Sequence, residues 1–299
     1  MTATRARGGL NRSNALTALA FLSPNLVGFL VFTLLPLGAA FLLAFAEWDT
    51  ANPIVFVGLK NFQRMFKDET FKISLLNTIY YTVTTVPLTM ICSLGIAVVL
   101  NQKIKALKFF RSAFFFPYVV SMVAVAVVWN MLLHPTMGPV NNFLSFLGME
   151  KPPGWAASTE WAMPAVIMAS VWRQTGFFMV IYLAGLQGIP RSLYEAAEMD
   201  GAGPWSRFWN VTFPGLIPVT FFVSVMLVIN GFKVFDLIMV MTEGGPGRAT
   251  NVLVYHIYYT AFMSFRFGYA SAISMVLLVI VLAVTVVQFR LEKKWVVNT

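Results

Sequence analysis

Six stretches of this chain, each about as long as a bilayer-crossing helix, are free or nearly free of charge, at residues 26–45, 73–100, 113–133, 161–186, 216–240 and 267–289. A helix needs about 20 apolar residues to cross the hydrocarbon core, so blocks of this length dictate an all-α membrane protein and leave little room for other folds. With flanking residues the spans are expected at about 20–45, 73–100, 112–133, 161–186, 215–240 and 267–289, in one membrane domain covering residues 1–299. Composition agrees, since 11% of residues are charged where a soluble domain carries about 25%. Two blocks are interrupted, the fourth by Arg173 and Gln174 and the fifth by Asn230, Lys233 and Asp236.

Orientation follows from the loops, because positively charged short loops resist translocation. Arg5, Arg7 and Arg12 precede the first span, Lys103, Lys105, Lys108 and Arg111 follow the second, and Arg290, Lys293 and Lys294 follow the sixth. Both termini are therefore expected in the cytoplasm of a cell membrane, with residues 47–72, 134–160 and 242–266 outside. The first outer segment carries Lys60, Arg64, Lys67 and Lys72 against the rule. Phe62, Met65, Phe66 and Ile73 recur there at helical spacing, which predicts a short helix lying along the interface. The charge-free run 13–46 is far longer than a signal-peptide core of about 7–15 residues, so the first span is expected to be retained.

The net charge of +9 lies between apolar blocks rather than in a continuous patch, so no nucleic-acid partner is expected and the membrane lipid accounts for it. Cys92 is the sole cysteine and sits in an apolar run, which leaves disulfide and thiol-metal chemistry unsupported. His134 reads as a surface loop residue, and His256 has no carboxylate or cysteine near it in sequence, so no metal site is expected. The spans hold no paired carboxylates and no Cys/His pair, and the sequence has no phosphate-binding Gly-rich loop ending in Lys-Ser/Thr, so no catalytic residue and no cofactor is expected. Pro24, Pro36, Pro87, Pro117, Pro164 and Pro218 punctuate the spans and suggest kinked helices around a cavity.

The segment 187–214 between the fourth and fifth spans is the most informative. Ser192, three residues before Glu195, is placed as in a capping box, and Gly201 to Pro204 would end one helix and start another. Leu193, Ala196, Ala197, Met199, Trp205, Phe208 and Trp209 supply apolar knobs inside a charged rim. Such a surface suits a groove on a partner protein or, alternatively, lipid headgroups.

The order Glu195-Ala196-Ala197, Gly201, Val211, Phe213 and Pro214 resembles the coupling motif of permease subunits in binding-protein-dependent ABC importers, with Val and Phe where the family usually has Ile and Leu. Phe56-Val-Gly-Leu-Lys-Asn-Phe62, Leu76-Asn-Thr78, Val171-Trp-Arg173, Leu186-Gln-Gly-Ile-Pro190, and Thr242-Glu-Gly-Gly-Pro246 followed by Ala249-Thr250 are similar to the carbohydrate branch, of the maltose and glycerol-phosphate type, the last to the first permease of a pair. The resemblance implies a type I importer permease of six transmembrane helices in a bacterial or archaeal cell membrane. Its implied partners are a second, similar permease, two copies of a cytoplasmic ABC ATPase and an extracytoplasmic sugar-binding protein. Tyr194, Glu195, Ala196, Ala197, Asp200, Gly201 and Pro214 would then couple to the ATPase.

Polar groups within spans face a cavity or a neighbouring helix more often than lipid. Amides and aromatic faces suit sugars, which draws attention to Trp172, Gln174 and Asn230. Resemblance to the maltose-type permease adds Ser170, Arg173, Leu227 and Gly231 as sugar-contacting positions. Arg173 could equally pair with an acid of a partner, and Lys233 and Asp236 could neutralise each other. The expected function is import of a sugar. The alternatives are a glycerol-phosphate or polyol substrate, an ion-coupled carrier, a membrane enzyme and a structural subunit.

Overall fold

The computed structural model describes residues 12–102 and 105–296. Arg5, Arg7 and Lys103, used above for orientation, lie outside the described residues. The rest is an all-α membrane bundle. Helix α1 (Arg12–Phe29) runs through a wide π turn into α2 (Leu35–Leu43). A two-residue ribbon, Ala46–Glu47 against Val55–Phe56, leads to α3 (Lys60–Lys67) and α4 (Glu69–Leu100). Then follow α5 (Leu107–Val119), α6 (Met122–Leu132), α7 (Pro139–Phe146) and α8 (Ala162–Gly188). The second half contains α9 (Arg191–Met199), α10 (Pro204–Arg207), α11 (Phe213–Gly215), α12 (Ile217–Phe232), α13 (Asp236–Met241), α14 (Leu253–Tyr258) and α15 (Phe267–Val296). Among the described residues, four helices are long and apolar enough to cross a membrane, and two bent pairs bring the number to as many as six.

Helix α8 is the axis of the bundle. Its apolar window is 56% buried within the chain, against 0% for the first span and 17% for the last, whose side chains lie mostly on the outside of the bundle. One face of α4 carries Thr78, Thr82, Thr85, Thr89 and Ser93, all buried, at the spacing that lines up a helical stripe. Small hydroxylated residues of this kind let helix backbones approach closely where lipid gives no hydrophobic drive to associate. Ser93 donates to the carbonyl of Thr175 on α8 at 3.1 Å, and Thr82 packs against Gly231 of α12. A Cβ on Gly176 of α8 would lie 1.8 Å from the Phe114 carbonyl oxygen, so α5 crosses α8 in backbone contact.

Two of the expected spans, at 112–133 and 215–240, are interrupted. The third is broken, with α5 and α6 meeting at 99° across Val120 and Ser121, both in extended conformation. Pro117 explains the position: it gives α5 no N–H for the Ala113 carbonyl and its ring crowds that group, so the helix ends within a turn. The fifth stops at Phe232, and Lys233 to Phe235 are non-helical before α13 begins. Sixteen residues of α12 reach about 24 Å at 1.5 Å per residue, short of the core thickness. Its N-terminal side is bent 65° from the segment Pro204–Gly215.

The interfacial helix expected from Phe62 to Ile73 is two helices. Asp68 ends α3 and accepts from the Thr70 N–H at 2.8 Å, capping α4, which contains Ile73. Met65 is buried with Phe71, Leu253, Tyr269 and Ile273, so α3 packs on the protein and turns Phe66 outward. Two of its basic residues have partners: Lys60 lies 3.5 Å from Glu47, and the Arg64 guanidinium sits 5.0 Å from the centre of the Tyr269 ring. Residues 134–160 form a tied cap, in which Asn141 donates to the Pro135 and Pro153 carbonyls and accepts from the Trp155 indole at 2.6 Å. His134 is at the surface, its Nδ1 accepting from the Met137 N–H at 3.2 Å.

His256 of α14 does have a carboxylate near it in space. Its Nε2 lies 3.7 Å from Asp68, which also accepts from the Tyr269 hydroxyl at 2.7 Å. Burial pushes the imidazole below its ordinary value of 6.5, with Asp68 opposing and Arg248 assisting. Burial raises the Asp68 carboxyl, but the Tyr269 and Thr70 hydrogen bonds and His256 outweigh it and hold it below 3.8. Both depressed groups give stability that is complete above the unfolded values and lost as pH falls through the folded ones. Thermal unfolding of the detergent-solubilised protein should therefore occur at lower temperature below pH 6.5, first through His256 and below pH 3.8 through Asp68. His256→Gln should flatten the upper part of that profile; an unchanged slope between pH 7 and 5 would refute this role.

Candidate functional site

Both helix breaks open onto one polar cavity of about 260 Å³. Four helix ends ring it: the C-terminus of α5 with Tyr118, the start of α6 with Met122, the C-terminus of α12 with Asn230 and Lys233, and the start of α13 with Asp236. The continuous helices α4 and α8 close it with Tyr81, Ser170, Arg173 and Gln174. Non-helical backbone is tolerated at membrane depth where protein or a water-filled cavity satisfies its polar groups, and interrupted helices commonly mark a solute site.

The hydrogen bonding is continuous along one wall. Gln174 donates through Nε2 to the Ser170 hydroxyl at 2.7 Å, one turn away on α8, and Ser170 shares a 2.5 Å contact with the Tyr81 hydroxyl of α4. Arg173 donates to the Tyr118 carbonyl at 3.1 Å while its guanidinium covers the Tyr118 ring at 5.0 Å. Tyr118 in turn stacks on Phe177 at 4.4 Å. The break at Val120 leaves Tyr118 in the last turn of α5, where carbonyls have no helical partner and the dipole is negative. Arg173 satisfies both, so it has a partner inside its own chain. Its Nε is buried without a hydrogen bond.

Lys233 and Asp236 are both exposed at the cavity, and among the described residues they form no ion pair with each other. Each instead sits at a helix end of opposite partial charge, Lys233 at the C-cap of α12 and Asp236 in the first turn of α13.

Of the positions expected along a substrate path, the structure thus gathers Ser170, Arg173, Gln174 and Asn230. Leu227 is buried in the inner core with Val86 and Phe178, and Gly231 abuts Thr82. Trp172 points to a different, mostly apolar cavity of about 680 Å³ that it shares with Cys92 and Trp129. Tyr81, Tyr118 and Met122 line the polar cavity without having been expected there. Only the position of Tyr118 next to Pro117, at the break, could have signalled one of them.

The segment 187–214 forms a second candidate site. Ser192 does not cap α9: Pro190 occupies the N-cap and fixes an extended entry, which puts Ser192 inside the first turn. Arg191 and Glu195 pair at 3.1 Å, one turn apart. At the other end Gly201 adopts a φ of +75°, and the Ala202 and Gly201 N–H groups bond the Ala197 and Glu198 carbonyls at 2.9 and 3.0 Å. This is a Schellman closure, for which glycine is suited because it has no Cβ. Tyr194 turns inward to share a 3.0 Å hydrogen bond with Thr212, and Arg207 bonds Glu198, so the two arms are tied together.

No residue of α9 is buried. Leu193 is 50% and Met199 88% exposed, beside a cluster of rings formed by Trp205, Phe208, Trp209 and Phe213 with centroids 5.2–6.4 Å apart. Glu195, Ala196, Asp200 and Gly201 are exposed as well, whereas Ala197 and Pro214 are half-buried. A contiguous exposed surface of this kind is the mark of an interaction site.

Residues 74–297 match the family described as binding-protein-dependent transport system inner membrane component. The probable ABC transporter permease protein YesP of Bacillus subtilis is 38% identical, covering 95% of this chain and 93% of its own. The probable starch degradation products transport system permease protein AmyD of Thermoanaerobacterium thermosulfurigenes is 30% identical over 92% and 93%. The sn-glycerol-3-phosphate transport system permease protein UgpA of Yersinia enterocolitica is 37% identical over 80% and 81%. Among solved structures, a chain of a bacterial ABC transporter involved in import of the acidic polysaccharide alginate superposes with a TM-score of 0.84 at 24% identity, covering 94% of this chain and 96% of that one. The fold is that of a type I ABC importer permease.

Proposed function

Because this chain belongs to the binding-protein-dependent transport system inner membrane components, we propose that the polar cavity at its helix breaks passes a sugar across the membrane. Membership makes the chain a non-catalytic translocation subunit of an ABC importer for a polar solute, in the branch related to carbohydrate and polyol systems. The observation that carries the sugar is the cavity itself. It presents two amides, from Gln174 and Asn230, and two hydroxyls, from Ser170 and Tyr81, with the aromatic face of Tyr118, and such groups bind hydroxylated rings.

In this reading the chain is one translocation domain with both termini in the cytoplasm. It pairs with a second, similar permease, receives solute from an extracytoplasmic binding protein, and rests α9 in a cleft of a cytoplasmic ATPase, two copies of which serve the pair. Closure of the ATPases would swing α9, and the bundle with it, as a rigid body. The exposed Leu193 and Met199 of α9, beside the ring cluster, support this, since an amphipathic helix with an uncovered apolar face fits a groove on a partner.

ATP-dependent uptake of labelled malto-oligosaccharides, in vesicles holding the chain with its co-purifying subunits, tests the reading. Gln174→Ala and Asn230→Ala are each expected to lower uptake about tenfold, near the 1.4 kcal/mol of one lost hydrogen bond. Uptake driven by an ion gradient without ATP would replace it with a secondary carrier. A second reading, a phosphorylated polyol such as glycerol phosphate, is favoured by Arg173 and Lys233 at the same cavity. Lys233→Gln separates the two, because it should strongly reduce uptake of a phosphorylated solute and spare most uptake of a neutral one.

A further inference from the structure

A second polar cavity, about 670 Å³ in volume, lies on the outer side and shares no residue with the cavity at the helix breaks. It is walled by the end of α3, the start of α4, the loop 242–251, α14 and the start of α15. Four cationic side chains, Arg64, Lys67, Arg248 and Arg266, face two carboxylates, Asp68 and Glu243. Asp68 is committed: one of its oxygens caps α4 and the other accepts from Tyr269. The long helix α15 starts here with no acidic residue in its first turn, so its positive end has no charge to meet it.

The decisive group is His256. Its side chain is more than nine-tenths buried, lines this cavity, and carries an Nε2 with no hydrogen-bond partner. The nearest carboxylate oxygen, at 3.7 Å, is beyond hydrogen-bonding distance. A buried polar atom left without a partner costs about 1–3 kcal/mol, and native proteins seldom leave one unless a ligand or water meets it.

We propose that this outer pocket binds a single phosphate or carboxylate group, held by the Nε2–H of neutral His256 and by the guanidinium groups of Arg248 and Arg266. An anion here would satisfy the imidazole, offset the excess of cations and meet the N-terminus of α15. Two sources could present such a group at this depth, a soluble anionic solute or the headgroup of an anionic lipid, because α4 and α15 both begin at the outer membrane surface.

The test uses the full chain, with whatever subunits purify with it, in neutral detergent. Thermal unfolding is followed by tryptophan fluorescence with 10 mM inorganic phosphate against chloride of equal ionic strength. Phosphate is expected to raise Tm by about 2–4 °C, and Arg248→Gln with Arg266→Gln, both on the exposed rim, should remove the rise. His256→Gln should weaken it. The same comparison in phosphatidylcholine nanodiscs with and without phosphatidylglycerol identifies the source. If the headgroup is the occupant, phosphatidylglycerol alone raises Tm in the wild type but not in the double variant, and added phosphate then has no further effect. No shift with either probe, or a shift that the double variant retains, overturns the proposal.

Discussion

Gly176→Ala is expected to leave almost no correctly assembled protein. The new Cβ would sit 1.8 Å from the Phe114 carbonyl oxygen and 3.0 Å from the Phe115 Cα, which are backbone atoms of α5 that no rotamer change can move aside. Separating α5 from α8 would also pull the Tyr118 carbonyl from Arg173 and open the stack of Tyr118 on Phe177. A loss of about 4 kcal/mol or more follows, comparable to the whole stability of many domains. Gly188→Ala on the same helix is the control, because no atom lies within 4 Å of the position its Cβ would take. Fluorescence-detected size exclusion in mild detergent reads the result. A monodisperse peak for Gly176→Ala at wild-type height would mean that the two helices do not touch as described.

The second large effect concerns the loop 187–214. Leu193→Asp combined with Met199→Asp should reduce uptake at least a hundredfold while the chain still inserts and folds, since Met199 is 88% and Leu193 50% exposed and neither belongs to the buried core. Two anchors lost from an apolar contact account for that loss at about 1.4 kcal/mol for each factor of ten. Glu195→Lys should act in the same direction, by repulsion and by losing the contact with Arg191. Co-purification of the ATPase separates this from other causes: it should fall in parallel with uptake. Normal ATPase recovery with normal ATP-driven uptake in the double variant would remove α9 from the coupling path and leave it as a helix resting on headgroups.

The positions of the long helices could be read from the sequence because an uninterrupted apolar run has few alternatives in a bilayer. Continuity could not be read. Hydropathy counts residues toward a thickness and is blind to the angle between them, so 113–133 reads as one span although Pro117 ends α5 and α6 leaves at 99°. Lys233 and Asp236 were visible as exceptions, but their spacing suggested a pair on one helix, whereas the helix ends between them. Tyr81 and Tyr118 were hidden among the many aromatics of the spans, where nothing local distinguishes a cavity-lining ring from a lipid-facing one. Ser192 misled because the capping-box spacing also occurs inside a helix, and Pro190 had the stronger claim to the boundary. His256 and Asp68 meet only through folding, a relation that no local pattern encodes.

The alternation of helix ends around the inner cavity has an electrostatic consequence. Two C-termini, from α5 and α12, and two N-termini, from α6 and α13, place partial charges of both signs on one rim, and Lys233 and Asp236 repeat that alternation with whole charges. These helix ends and the two whole charges beside them have almost no monopole of their own and fall off as a higher multipole, so they exert steep gradients over a few ångströms and little pull beyond. Arg173 adds a net positive charge to the cavity, held against the Tyr118 carbonyl and ring. The rim therefore orients polar groups firmly at close range, and a group so held can leave once the helix ends move apart.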